Sequence, residues 1–317
     1  MLIALQIIGG LLMLVLGGES LVRGSVSVAK SLGIPVIIIG LTIVSLGTSA
    51  PEMVISIMAT TEGHPDIALG NVIGSNIANI LLVLAVTALV YPVRTNPEVT
   101  KRDGILMVMV SVILLMFMNN GEISRFEGVL LLAILVGYLL NLFRRAKVEQ
   151  DPEILEEFEE ETQTQYPMIL SLIMVGAGFA LLVLGADFLV DGASDLARMF
   201  AVSEGVIGAT IVAIGTSAPE LVTCVVAAYR KHSDIAVGNV VGSNLFNIAA
   251  VLGVAALVTP IAVDEQFMQV DIWVMLVAST LLIPLMMSDK KVSRVEGGVM
   301  LVWYILYIGY QYRLVVQ

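Results

Sequence analysis

Gly47-Thr-Ser-Ala-Pro-Glu52 recurs unchanged as Gly215-Thr-Ser-Ala-Pro-Glu220, 168 residues further on. The same offset lays Gly17-Gly-Glu-Ser-Leu-Val-Arg-Gly24 on Gly185-Ala-Asp-Phe-Leu-Val-Asp-Gly192. It also lays Asp66-Ile-Ala-Leu-Gly-Asn-Val-Ile-Gly-Ser-Asn-Ile-Ala-Asn-Ile80 on Asp234-Ile-Ala-Val-Gly-Asn-Val-Val-Gly-Ser-Asn-Leu-Phe-Asn-Ile248. Three segments in one register mark an internal duplication, which decides the architecture before any single motif does.

The surrounding sequence belongs in a bilayer. Of 317 residues, 58% are hydrophobic and 14% charged, and the mean hydropathy is +0.96, too apolar for a soluble chain of this length. Stretches of about 20 apolar residues, enough to cross about 30 Å of hydrocarbon, lie at 2–22, 35–60, 66–90, 104–118, 124–142, 167–190, 203–229, 234–259, 268–287 and 295–312. Five spans separate each residue from its counterpart, and an odd number turns the second copy upside down. The expected fold is therefore an all-α polytopic membrane protein with ten transmembrane helices. They form two inverted five-helix repeats, 1–143 and 167–317, joined by an acidic cytoplasmic linker at 144–166. Inverted repeats with polar, broken helices in matching positions are the pattern of secondary transporters that bind substrate near the midplane.

With the N-terminus outside, thirteen of the sixteen Lys and Arg residues fall on the cytoplasmic side, which orients both termini outward. The first apolar stretch lacks a positively charged leader and carries Glu19 of the repeat, so it reads as a span and not as a signal peptide. The net charge of −11 and pI near 4.6 argue against a nucleic-acid partner. The bilayer is the expected surrounding, and no protein partner is evident. Eight carboxylates between Glu149 and Glu161 read as a solvated linker, with a cation-attracting or regulatory loop as the alternative. The single cysteine, Cys224, excludes an intramolecular disulfide and reads as a packing residue. His64 and His232 correspond across the repeat and read as surface-loop histidines, with a pH-gating role as the alternative.

The chemistry lies in the repeated segments. Ser45, Thr48, Ser49 and Glu52 share one helix face, and Thr216, Ser217 and Glu220 repeat it, with Ala213 where Ser45 stands. At that position only the backbone oxygen is common to both copies. Pro51 and Pro219 cannot donate to the carbonyl four residues back, so free carbonyls are expected near Ser45, Gly47, Ala213 and Gly215. Inside a bilayer such groups need protein, water or an ion. Ser75 with Asn79, and Ser243 with Asn247, add hydroxyls and amides one helical turn apart. Every ligand is oxygen, which suits a hard cation, and an adaptable cage of six to eight oxygens favours calcium or sodium over magnesium. Two ionised glutamates are neutralised by one Ca2+ or about two Na+, which is a physical ground for competition between the ions. A lone intramembrane glutamate is compatible with a protonated residue bonding a neighbouring helix; two in identical hexapeptides point to a site. The individual hydroxyls retain helix-packing hydrogen bonds as an alternative.

These segments resemble the two α-repeats of the sodium/calcium exchanger branch of the calcium/cation antiporter superfamily, in its prokaryotic type, over essentially the whole chain. The resemblance implies a secondary transporter of the cell (inner) membrane that exchanges Na+ for Ca2+ electrogenically by alternating access, with no cofactor. It implies that Glu52 and Glu220 bind calcium directly and also serve sodium. Thr48, Ser49, Ser75, Thr216, Ser217 and Ser243, with the backbone at Ser45 and Ala213, complete the ion sites, and Asn79 and Asn247 stand around them. Spans one and six form a sliding pair, with Glu19 and Asp187 near one end. Potassium-dependent relatives carry Asp where this chain has Asn247, so potassium cotransport is not expected; H+/Ca2+ antiport is the alternative reading. An intramembrane serine protease built on Ser49 or Ser217 lacks a base, since no His or Lys accompanies either serine. The chain therefore reads as a transporter and not as an enzyme.

Overall fold

The computed structural model describes residues 2–95, 97–148, 166–200, 213–288 and 290–316, and these are mostly helical. The acidic run of the linker and residues 203–212 of the expected seventh span lie outside the described residues. Helix α1 is Leu2–Leu32, α2 is Val36–Thr48, α3 is Ala50–Thr61 and α4 is Pro65–Val90. Helix α5 is Pro97–Met118, α6 is Arg125–Val148, α7 is Met168–Met199 and α8 is Ala213–Thr216. Helix α9 is Ala218–Tyr229, α10 is Ser233–Val258, α11 joins Phe267–Asp271 to Ile272–Ser288, and α12 is Arg294–Val316. Among the described residues six helices are long and apolar enough to cross a membrane, or seven if the bent pair α2–α3 is one span.

Helices α1 and α7 run 31 and 32 residues, about 46 to 48 Å at 1.5 Å per residue. They overshoot the expected spans 2–22 and 167–190, because both helices continue through the charges near Glu19 and Asp187 instead of ending there. At that length they must tilt or project from the hydrocarbon. The two lie antiparallel: Gly10 meets Gly185 and Leu189, Gly17 meets Gly178 and Leu182, and Gly24 meets Ser171 and Val175. A Cβ on Gly17 would sit 2.9 Å from the Gly178 carbonyl oxygen, so the backbones touch and only glycine fits.

Burial separates two layers. In α4 and α10, 78% and 89% of the apolar window is buried inside the protein, against 22% and 28% in α1 and α7. The first pair forms the core, while α1 and α7 present Leu5, Ile8, Leu12, Ile169 and Ile173 outward, the exposed apolar face that lipid covers.

Two features were not expected from the sequence. Wider π turns interrupt the helices at Gly40–Val44, Asn79–Leu84, Asn247–Leu252 and Phe267–Asp271, and Asn79 and Asn247 each open one. The all-α expectation also needs a small correction. Strand β1 (Val93–Arg94) pairs with β4 (Lys291–Val292), and β2 (Glu122–Ile123) pairs with β3 (Ile261–Ala262), each antiparallel and each tying one half of the chain to the other. Matching capping boxes follow: Glu127 accepts from Ser124 N and Oγ at 2.7 and 2.8 Å, and Glu296 accepts from Ser293 N and Oγ at 2.7 Å each.

Candidate cation site

The repeated hexapeptides fold as breaks. Helix α2 turns by 43° into α3 at Ser49, whose φ −83° and ψ 5° leave the helical region; Ser217 does the same between α8 and α9 with φ −87° and ψ 4°. Pro51 and Pro219 stand in the first turn of α3 and α9, where a missing N–H costs nothing. Glu52 and Glu220 fall in those same first turns, where the helix end favours negative charge. Ser45 corrects one expectation: its carbonyl keeps a bond from the Ser49 N–H at 3.0 Å, so the chain opens only after Thr48. Gly47 is required at this break, because a Cβ there would lie 1.9 Å from the Phe179 ring of α7.

The carboxylates are inside the bundle, each 1% exposed, and the prolines that precede them, Pro51 and Pro219, line one cavity. Twelve buried side-chain oxygens among the described residues have no hydrogen-bond partner in the protein, and seven belong to the residues singled out by sequence. They are Glu52 Oε2, both Glu220 oxygens, Ser49 Oγ, Ser217 Oγ, Asn79 Oδ1 and Asn247 Oδ1. Each such group costs about 1–3 kcal/mol, more when charged. Leaving them unpartnered inside the bundle, three of them on the two carboxylates, is unfavourable for protein alone and suited to a dehydrated cation.

The hydroxyls divide by half. Thr48 Oγ1 donates to Asn239 Oδ1 at 3.1 Å and lies 3.4 Å from Ser243 Oγ, which itself reaches Asn239 Oδ1 at 3.4 Å. Ser45 Oγ turns back to the Gly40 carbonyl at 2.6 Å. Their counterparts border a cavity: Ser75, Thr216 and Asn71, with Ser217, line about 210 Å³ that continues to Tyr307 and Gln311. A second cavity of about 320 Å³ joins Thr216, Gly215 and Pro219 to Asp187 and Asp191. Ala213 opens α8, and its side chain lies outside the described residues.

Asn71, Asn76, Asn239 and Asn244 were missed as functional positions. Asn79 Nδ2 donates to Asn244 Oδ1 and Asn247 Nδ2 to Asn76 Oδ1, both at 3.1 Å. The crossed pairs occupy the amide N–H groups and leave the oxygens of Asn79 and Asn247 free. Asn71 holds the Glu52 carbonyl at 3.1 Å and Ser56 Oγ at 3.0 Å, and Asn239 correspondingly donates to Cys224 Sγ at 3.4 Å. Cys224 thus accepts where Ser56 accepts, beyond simple packing. The available signal was four amides at matching places inside apolar spans, each of which needs a partner there. His64 and His232 stand at the N-caps of α4 and α10 and line neither cavity.

The whole chain resembles known proteins. The family model described as sodium/calcium exchanger protein matches residues 2–144 and 170–313. The inner membrane protein YrbG of Escherichia coli is 37% identical over 276 residues, covering 86% of this chain and 85% of that one. The sodium/calcium exchanger MaX1 of Methanosarcina acetivorans is 32% identical over 335 residues, covering 94% and 95%. A solved structure of the sodium-calcium exchanger NCX_Mj superposes with a TM-score of 0.83 at 29% identity, covering 98% of each chain.

Proposed function

Because this chain belongs to the sodium/calcium exchanger protein family, we propose that it exchanges Na+ for Ca2+ electrogenically by alternating access, with Glu52 and Glu220 at the centre of the site. The observation that carries this reading is the set of seven unpartnered buried oxygens that both halves contribute, three of them on the two carboxylates. Ser49, Ser217, Asn79 and Asn247 supply the other four of these oxygens, and Thr48, Thr216, Ser75 and Ser243, with the backbone at Ala213 and the second lone pair of the Ser45 carbonyl, complete the proposed ligand set. One Ca2+ or about two Na+ satisfy the same charge, so occupation by one ion displaces the other.

The proposed frame is ten spans in two inverted repeats, 1–143 and 167–317, with 144–166 as a cytoplasmic linker, both termini outside, and the inner membrane as location. The antiparallel α1–α7 pair and the crossed asparagines support it. Proteoliposomes test the function: calcium uptake is expected to require an opposing sodium gradient and to respond to an imposed membrane potential. Uptake indifferent to sodium and driven by a proton gradient selects H+/Ca2+ antiport instead.

A further inference from the structure

A groove of about 540 Å³ runs between α11 and α12, outside the cation site, walled by Leu281, Leu285, Val299 and Trp303 and floored by Ile80 and Leu81. Pro284 lies on this wall inside α11, where it cannot donate to the carbonyl of Thr280, which loosens the helix beside the groove. The lining is almost wholly apolar, and Leu281, Val295 and Val299 are exposed along it. Its floor follows directly on Asn79 in the π turn Asn79–Leu84, so an occupant bears on the segment that presents a candidate ligand.

The mouth is charged. Glu296, at the start of α12, faces it but is already turned onto Ser293 N and Oγ. One turn earlier, strand β4 places Lys291 directly across from Arg94 of β1. Like charges opposite each other on paired strands are destabilising, and an anion between them removes the penalty. Lys290 adjoins them, and Arg294 reaches the Val90 carbonyl at 3.3 Å. Arg94, Lys290, Lys291 and Arg294 outnumber Asp289 and Glu296 by four to two in this part of the sequence. The matching pair in the other half, Glu122 opposite Ala262, carries no such cations.

We propose that this is a binding site for an anionic phospholipid, its phosphate between Arg94 and Lys291 and one acyl chain in the α11–α12 groove. The occupant is a membrane lipid because the apolar groove reaches Val295 and Glu296 in the first turn of α12, directly after the cations Lys290, Lys291 and Arg294, and exposes Leu281, Val295 and Val299 along its length. Each cation near a membrane surface is worth about 1 kcal/mol, or about fivefold in affinity.

The test is native mass spectrometry of the full chain purified in detergent and offered equimolar palmitoyl-oleoyl phosphatidylglycerol and phosphatidylcholine. Phosphatidylglycerol is expected to be retained at least about fivefold over phosphatidylcholine. Arg94→Gln with Lys291→Gln, both exposed positions, is expected to bring that ratio to about one while lipid is still retained. Val299→Trp, which fills the groove from an exposed position, lowers retention of both lipids. Equal retention of the two lipids by the unaltered chain, or an unchanged preference in the double variant, overturns the proposal.

Discussion

Thr48, Ser243 and Asn239 touch one another, whereas their counterparts Thr216, Ser75 and Asn71 border a cavity. The chemical groups are the same, residue for residue, so composition cannot account for the difference. Conformation does: one half-site is shut and the other is open toward Tyr307, Gln311, Asp187 and Asp191. In an inverted duplication, exchanging the two conformations between halves moves the opening to the opposite side of the bundle, with no new contact type required. A two-state element of that kind responds to an ion only through its differential affinity for the two arrangements.

The comparison is most easily broken at the carboxylates, where the two halves should be equivalent despite their different surroundings. Glu52→Gln and Glu220→Gln each remove one of two charges facing a buried cation. Losing a partner of a buried ion pair costs about 3–5 kcal/mol, so sodium-driven calcium uptake in proteoliposomes should fall at least about a hundredfold for either variant. A large loss from one and normal uptake by the other means that the site belongs to one half alone.

That equivalence was legible in the sequence, because an exact hexapeptide repeat at a constant offset places both carboxylates and the hydroxyls around them without any tertiary information. The π turns at Asn79 and Asn247 were not, since they accompany crossed bonds to Asn244 and Asn76 in the other half. The strand pairs escaped for a related reason: Val93 meets Val292 over two residues only, too short to leave a periodic trace. The ends of spans one and six, placed at residues 22 and 190 where the apolar runs stop, fall short of the helices, which continue to Leu32 and Met199. Which half is shut cannot be written in two identical hexapeptides at all; it resides in the packing.

The threonine hydroxyls differ between the two clusters in burial. Thr48→Val and Thr216→Val keep shape and remove one oxygen, and a lost hydrogen-bonding group of this kind costs about 1–1.5 kcal/mol, or roughly five- to twelvefold. Both should raise the calcium concentration for half-maximal uptake by about that factor. Thr48→Val leaves Asn239 and Ser243 fully buried with one partner lost, whereas Thr216 borders a cavity that water can enter, so its effect should exceed that of Thr216→Val by about twofold or more. Equal shifts show that the shut contacts contribute nothing to the balance between states.

The smallest effect is expected in the second half of α1, where the duplicated chain reverses its charges. Glu19 accepts from Arg230 of α9 through Nε at 3.0 Å and through a second, shorter Nη2 contact, and Arg23 pairs with it from one turn along α1. The positions related by the repeat are Asp187 for Glu19, Asp191 for Arg23 and Glu62 for Arg230, all acidic. One end of the bundle is thus pinned by opposite charges while its mate repels unless cations gather there. Glu19 and Arg230 keep side-chain exposures of 25% and 44%, so solvent screens the pair and its worth is about 1 kcal/mol at most. Arg230→Gln should therefore weaken calcium uptake from the side of Asp187 and Asp191 by no more than about fivefold, and less at high choline chloride, because salt screens exposed pairs. Glu19→Gln should do the same, and the double variant should add nothing further, since both substitutions remove one interaction. Additive losses in that cycle mean that the two residues act separately and that the shut end is held by packing alone.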